Sequence, residues 1–195
     1  MKLILASGSK DRKILLESAK FKFDVITSNA EEKSDKKHPG EYAKEISKIK
    51  AKAVSEIVDE GIILAADTIT YSSKGEIFGK PKTREEAIYM IKQYSSSCAE
   101  IWTGVTIIDK YQNKEISFSS MTKVYMQDIS DEEIETYVDI DKDIYYRCGG
   151  YAIDGLSSIF TKKIEGEYAN VIGLPITEIY IKLKELGYSI KDFVV

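Results

Sequence analysis

Short continuous apolar runs alternate along this chain with stretches of helical spacing, and polar, glycine-marked breaks separate them. Lys2 to Ala6 reads as a short buried strand that Ser7-Gly8-Ser9 interrupts before Ile14, Leu15, Leu16 and Ala19 recur at helical spacing. Phe23 to Thr27 reads as a second strand, and the charged loop Glu31 to Lys37 follows it. Pro39 stands just ahead of a long helix whose apolar positions are Tyr42, Ile46, Ile49, Ala53, Ile57 and Val58, with Gly61 expected to stop it. Ile62 to Ala66 is apolar at every position, as a central strand covered on both faces should be.

Beyond Asp67, Thr68-Ile69-Thr70-Tyr71 and Glu76-Ile77-Phe78 flank a turn at Ser72-Ser73-Lys74-Gly75, which predicts a hairpin. Glu100 to Ile108 and Glu115 to Gln127, joined near Gln112-Asn113, predict a second hairpin of longer strands. Thr83-Arg84-Glu85-Glu86 and Ser130-Asp131-Glu132-Glu133 have the form of capping boxes. They open helices through Ala87, Met90, Ile91 and Tyr94, and through Ile134, Tyr137 and Val138. A strand near Ile159 to Ile164 and a helix after Pro175 through Ile179, Ile181, Leu183 and Leu186 complete the order. Strands and helices alternate but hairpins intrude, so the expected class is α/β, a mixed sheet with flanking helices and a second, more antiparallel lobe. A length of 195 residues suits a single domain spanning 1–195.

Charge and composition narrow the chemistry. With 28 Lys+Arg against 32 Asp+Glu the net charge is −4, which argues against nucleic-acid or membrane partners held by bulk charge, so an anionic ligand needs a local cluster. No apolar stretch has the length of a membrane span or a secretory signal, and a cytoplasmic protein is expected. The two cysteines, Cys98 and Cys148, lack Cys-x-x-Cys spacing and read as reduced, partly buried thiols. The single histidine, His38, lies in the breaker-rich Asp35 to Gly40 and reads as a solvated loop residue, which leaves Ser-His-Asp and Cys-His triads without a base. The chemistry must therefore rest on carboxylates, lysines, an arginine and a metal.

Five places are chemically candidate. Ser7-Gly8-Ser9-Lys10-Asp11-Arg12 joins strand to helix, where N–H groups, hydroxyls and a forked guanidinium suit a phosphate; a plain serine cap would look the same. Asp67 follows the apolar run Ile62 to Ala66, where a carboxylate needs a counter-charge, a metal or its own turn to offset desolvation. Gly79-Lys80-Pro81 lacks Walker spacing, and reads either as a turn or as an ammonium presented to phosphate. Glu31 and Glu32 head a charged loop that is either a solvated face or a source of metal ligands. Gly166 to Pro175 is either a binding loop or a packed turn.

Leu5-Ala6-Ser7-Gly8-Ser9 with Arg12, Ala66-Asp67-Thr68, Gly79-Lys80-Pro81, Trp102-Thr103-Gly104-Val105 and Asn170 to Pro175 together resemble the Maf family of nucleotide pyrophosphatases, in register from residue 3 to about residue 186. The resemblance implies a two-lobed α/β fold with a cleft between lobes, similar to the inosine triphosphate pyrophosphatases, and often a homodimer. It implies hydrolysis of a nucleoside triphosphate to monophosphate and pyrophosphate with a divalent cation, Mg²⁺ or Mn²⁺. Carried across, Ser7, Ser9, Arg12, Lys50 and Lys80 look like substrate-binding residues, Asp67 matches the proton acceptor and Glu32 the family's loop glutamate, and Glu32 with Asp67 is the expected pair of metal ligands. Such a cluster makes chemical sense, since cations neutralise charge that builds on phosphate oxygens as water attacks. The family's association with septum formation adds a reading of another class, a non-enzymatic division regulator.

Two departures bear on specificity. Lys10-Asp11-Arg12 stands where the family usually has Pro-Arg-Arg, so Asp11 replaces a cation. Asp154 stands where the branch that hydrolyses dTTP and UTP carries glutamine, whose amide both donates and accepts toward a pyrimidine edge. A carboxylate only accepts, which leans toward the family's 7-methyl-GTP branch, whereas Thr68 matches the pyrimidine branch. The expectation is dTTP/UTP, with 7-methyl-GTP as the alternative.

Overall fold

In the computed structural model, which describes residues 1–194, β1 (Leu3–Leu5) lies parallel to β3 (Ile62–Tyr71), with Leu3 opposite Ile62 and Leu5 opposite Leu64. The short β2 (Asp24–Val25) pairs parallel on the other side of β1. Strand periodicity divides these runs between two cores: Leu3, Leu5, Ile62, Leu64 and Ala66 face one cluster, and Ile4, Ala6, Ile63 and Ala65 the other. The continuous apolar runs are thus buried on both faces, as expected.

The chain divides into two compact units. The first comprises Met1–Asp67, Thr103–Ser120 and the chain from Gly173 onward; the second comprises Thr68–Trp102 and Met121–Ile172. The seven-stranded sheet has the order β2-β1-β3-β5-β6-β7, with β5 at Cys98–Asp109, β6 at Lys114–Met126 and β7 at Thr161–Glu165, while β4 (Ile77–Phe78) pairs antiparallel with β3. Parallel β1–β3 and antiparallel β6–β7 pairings make it mixed, which agrees with the α/β class read from the sequence.

In unit one, α1 (Lys10–Ser18) starts from Ser9, whose side chain accepts the Arg12 N–H. Helix α2 (Pro39–Ser55) has Pro39 in its first turn and His38 as its N-cap. His38 is therefore an exposed cap, its Nδ1 accepting the Gly40 N–H at 3.2 Å, rather than a plain loop residue. The α2 stripe is also rotated from the expected one: Ala43, Ile46, Ser47, Ala51 and Val54 face inward, while Ile57 is 69% exposed beyond the helix end. Gly104 on β5 explains the rotation, because a Cβ there would lie 2.1 Å from the Ala43 carbonyl carbon. The helix rests backbone on backbone, which selects its small residues for the contact. It ends at Ser55 rather than near Gly61 because Lys110 Nζ takes the carbonyls of Ser55 and Val58. Helix α6 (Ile176–Glu185) buries Ile179 and Leu183 in the same unit and leaves Ile181 exposed.

Unit two packs α3 (Arg84–Lys92) and α4 (Asp131–Ile140) around Phe78, Ala87, Ile91, Tyr94, Val124, Ile134 and Tyr137. Ser130 and Glu133 form the full reciprocal capping box. At Thr83 only half forms, because the Glu86 carboxylate accepts the Lys82 N–H instead. The strand expected from Ile159 begins at Thr161, since Gly155–Phe160 winds as a 3₁₀ turn. The short α5 (Tyr168–Ile172) closes the unit. Among the described residues no helix is long and apolar enough to cross a membrane.

Candidate active site

Ser7 follows the end of β1 by two residues, and Asp67 stands in the middle of β3, directly after the buried Ala66. Asp67 lies within β3 rather than before a turn, since the strand continues to Tyr71. Its carboxylate is offset by a counter-charge: Lys50 Nζ lies 2.7 Å from Asp67 Oδ1. The same ammonium lies 2.9 Å from Glu32 Oε2. The Lys50 and Asp67 side chains are 12% and 15% exposed and that of Glu32 is 48% exposed, so the loop acid is the accessible member of the cluster.

Helix α2 places Lys50. One turn before it, the buried Ser47 hydroxyl bonds Thr106 on β5 at 2.9 Å, and Gly104 seats Ala43 a further turn back. These two anchors on one helix face fix the rotation that brings Lys50 to the β3 carboxylate.

The Ser7–Arg12 segment forms a second group. Arg12 is buried, donating from Nε to the Gly173 carbonyl at 2.8 Å and from Nη1 to Ser7 Oγ at 3.0 Å. Ser9 donates its backbone N–H to Ser7 Oγ at 3.2 Å. The first helical N–H groups, those of Lys10 and Asp11, have no intrahelical acceptor, as at any helix start. Asp11 stands half-buried in that first turn.

Thr68, Lys80 and Asp154 belong to unit two. The Thr68 carbonyl accepts from Cys148 Sγ at 2.7 Å, and the Gly79 carbonyl accepts the Gly149 N–H at 2.8 Å. These bonds tie β3 and the Gly79-Lys80-Pro81 turn to the Cys148–Gly150 turn, leaving Lys80 exposed. Gly149 has φ +72°, and a Cβ on it would meet the Tyr94 hydroxyl at 2.7 Å. Asp154 is exposed and lies 3.5 Å from Arg147 Nη1, which is also 3.9 Å from Asp141 Oδ2. Arg147 escapes a motif reading, because an arginine beside Cys148-Gly149-Gly150 carries no spacing signal of its own.

The segment Gly166 to Pro175 contains the short helix α5 and is buried from Gly173 to Pro175. Asn170 is fully buried and donates to the Ile101 carbonyl at 3.0 Å and the Thr122 hydroxyl at 3.1 Å. Gly173 contributes its carbonyl to Arg12.

No group of three or more His, Cys, Asp or Glu side chains suited to a metal occurs among the described residues. Glu32 and Asp67 nevertheless fit a hard divalent cation of the Mg²⁺ kind, which takes one or two carboxylates and fills its remaining positions with water and phosphate oxygens. Their oxygens already converge on one cation, the Lys50 ammonium.

Residues 2–186 match the family model described as Maf-like protein. The dTTP/UTP pyrophosphatase of Carboxydothermus hydrogenoformans is 39% identical over 188 residues, covering 96% of this chain and all of that protein. The protein of the same name from Thermosipho africanus is 41% identical over 187 residues, 96% of this chain and 94% of its own. A solved nucleoside-triphosphatase / dITP/XTP pyrophosphatase from Mycobacterium abscessus aligns over 96% of this chain and 97% of its own, with 10% identity and a TM-score of 0.46.

Proposed function

The chain belongs to the Maf-like family, and from that premise we propose that it is a nucleoside triphosphate pyrophosphatase that converts dTTP and UTP to the monophosphate and pyrophosphate. The observation that carries the reading is Lys50 held between Glu32 and Asp67. A strand carboxylate paired with a lysine ammonium offers the base and the cation that water attack at phosphorus uses. The names and near-complete coverage of the relatives support the same reaction.

Ser7 and Ser9, with Arg12 bonded to Ser7 behind them, take the phosphate end of the substrate. Asp67 orients the attacking water and accepts its proton as the oxygen bonds to the α-phosphorus. The bond from that phosphorus to the bridging oxygen breaks, and pyrophosphate leaves with the electron pair. Lys50 neutralises charge on the phosphate oxygens. Glu32 and Asp67 would hold Mg²⁺ or Mn²⁺, which would supply further neutralisation of the developing charge. Asp11, Thr68 and Asp154 tune which nucleotide is accepted.

A second substrate, 7-methyl-GTP, is favoured by one observation, the acceptor-only carboxylate of Asp154. We further propose that residues 1–195 act as one catalytic domain in a cytoplasmic homodimer, without nucleic-acid or membrane partners. The test is a panel of canonical and modified triphosphates with added Mg²⁺ or Mn²⁺, scored for monophosphate and pyrophosphate. Diphosphate plus orthophosphate as products would reject the reaction. Absence of hydrolysis across the panel would favour a non-enzymatic division regulator.

A further inference from the structure

We infer that Arg12 is a positioning residue: it holds Ser7 as an obligate hydrogen-bond donor to a phosphate oxygen, and its contribution to substrate binding runs through the Ser7 hydroxyl. The inference rests on the pyrophosphatase reading above and assigns a division of labour within that site.

A serine hydroxyl has one proton to donate and two lone pairs to accept with. Ser7 Oγ receives Arg12 Nη1 at 3.0 Å and the Ser9 N–H at 3.2 Å. Both lone pairs are engaged, so the remaining capacity of the group is donation. Among the described residues the Ser7 hydroxyl donates to no protein acceptor. It is 9% exposed, so an unused donor there carries a desolvation cost that an incoming oxyanion relieves.

Ser9 closes the ring. Its N–H goes to Ser7 and its hydroxyl oxygen accepts the Arg12 N–H at 3.4 Å, so helix α1 starts with three residues locked to one another. Arg12 is 8% exposed and anchored at a second edge by the Gly173 carbonyl, which fixes the guanidinium plane against Ser7. A guanidinium fixed in that way acts on an anion chiefly through the hydroxyl it polarises. Drawing electron density from Ser7 Oγ makes its O–H a stronger donor to a charged acceptor.

The test is a double-mutant cycle on the full-length protein with Ser7→Ala, Arg12→Met and the pair, read as kcat/KM for UTP and as the affinity for inorganic pyrophosphate. Each single variant is expected to lose roughly 10- to 150-fold, the scale of one charge-assisted hydrogen bond. The double variant should lose no more than about threefold beyond the worse single, as partners in one interaction do. Ser7→Thr, which keeps the hydroxyl, should retain the sensitivity to Arg12. Losses that multiply in the double variant, or an Arg12→Met protein with unchanged pyrophosphate affinity beside a crippled Ser7→Ala, would overturn the inference. If Arg12→Met does not fold, Arg12→Lys decides: its loss must vanish in the Ser7→Ala background. Wild-type protein that binds pyrophosphate yet cleaves no triphosphate would reject the reaction assigned above and leave the coupling measurable.

Discussion

Lys50 Nζ sits 2.7 Å from Asp67 Oδ1, with both side chains largely buried, so the acid in the middle of β3 is held by helix α2. Replacing Asp67 by Asn keeps the shape and removes the acceptor for a proton from water. Asp67→Asn is expected to lower kcat roughly 10²- to 10⁴-fold, the range of a positioned general base. Pyrophosphate release checks it, and activity within a factor of a few of wild type would remove Asp67 from the mechanism.

Lys50 also stands where a divalent cation would compete for Glu32 and Asp67. Lys50→Met is therefore expected to bind Mn²⁺ about tenfold more tightly than wild type in the absence of nucleotide, since a neighbouring positive charge is removed. Its kcat/KM should fall, and chelation should abolish turnover in both proteins. Calorimetric titration with Mn²⁺ separates this from a purely structural role, for which the metal affinity would not rise.

Asp154 offers only acceptors, and its nearest cation is Arg147 at 3.5 Å. Asp154→Gln restores an amide able to donate to a pyrimidine carbonyl, and is expected to raise kcat/KM for UTP about tenfold, the worth of one hydrogen bond. The ratio of UTP to 7-methyl-GTP turnover should rise with it. An unchanged ratio would take Asp154 out of base recognition.

Glycines separate packing from chemistry. Gly104→Ala would press a methyl group to 2.1 Å from the Ala43 carbonyl carbon and is expected to cost about 3 kcal/mol in urea unfolding. Gly79 has nothing within 4 Å of an added Cβ, and Gly79→Ala should leave the unfolding midpoint unchanged.

Burial pushes the Tyr137 hydroxyl up to about 12 from its ordinary 10.0. A raised phenol stabilises the fold fully below the unfolded value, and that contribution is lost as pH climbs from 10.0 toward about 12. Tyr137→Phe should flatten the fall in thermal midpoint across that window, while giving up the bond to the Gly150 carbonyl at neutral pH.

The buried strands were legible because period-2 burial on both faces leaves an unbroken apolar run, as in Ile62 to Ala66. The α2 stripe was misread for a physical reason: Gly104, far away in sequence, brings the helix backbone so close that Ala43 and Ser47 face inward in place of the larger Tyr42 and Ile49. Within the site, Asp67 announced itself by the cost of its position, and Glu32 and Lys50 needed the family resemblance to stand out from other loop acids and helix lysines. The Gly173 carbonyl stayed hidden because a main-chain acceptor met 161 residues away leaves no periodic trace, and Arg147 because its acids, Asp141 and Asp154, fall at no regular spacing from it.

The seat of α2 on Gly104 also constrains how this chain can diverge. Where backbone meets backbone there is no side chain to repack, so a larger residue at position 104 can be accommodated only by moving the whole helix, and Lys50 with it. Drift there cannot be absorbed locally, and a lineage that gave up that glycine would have to find its ammonium again from another place in the sequence.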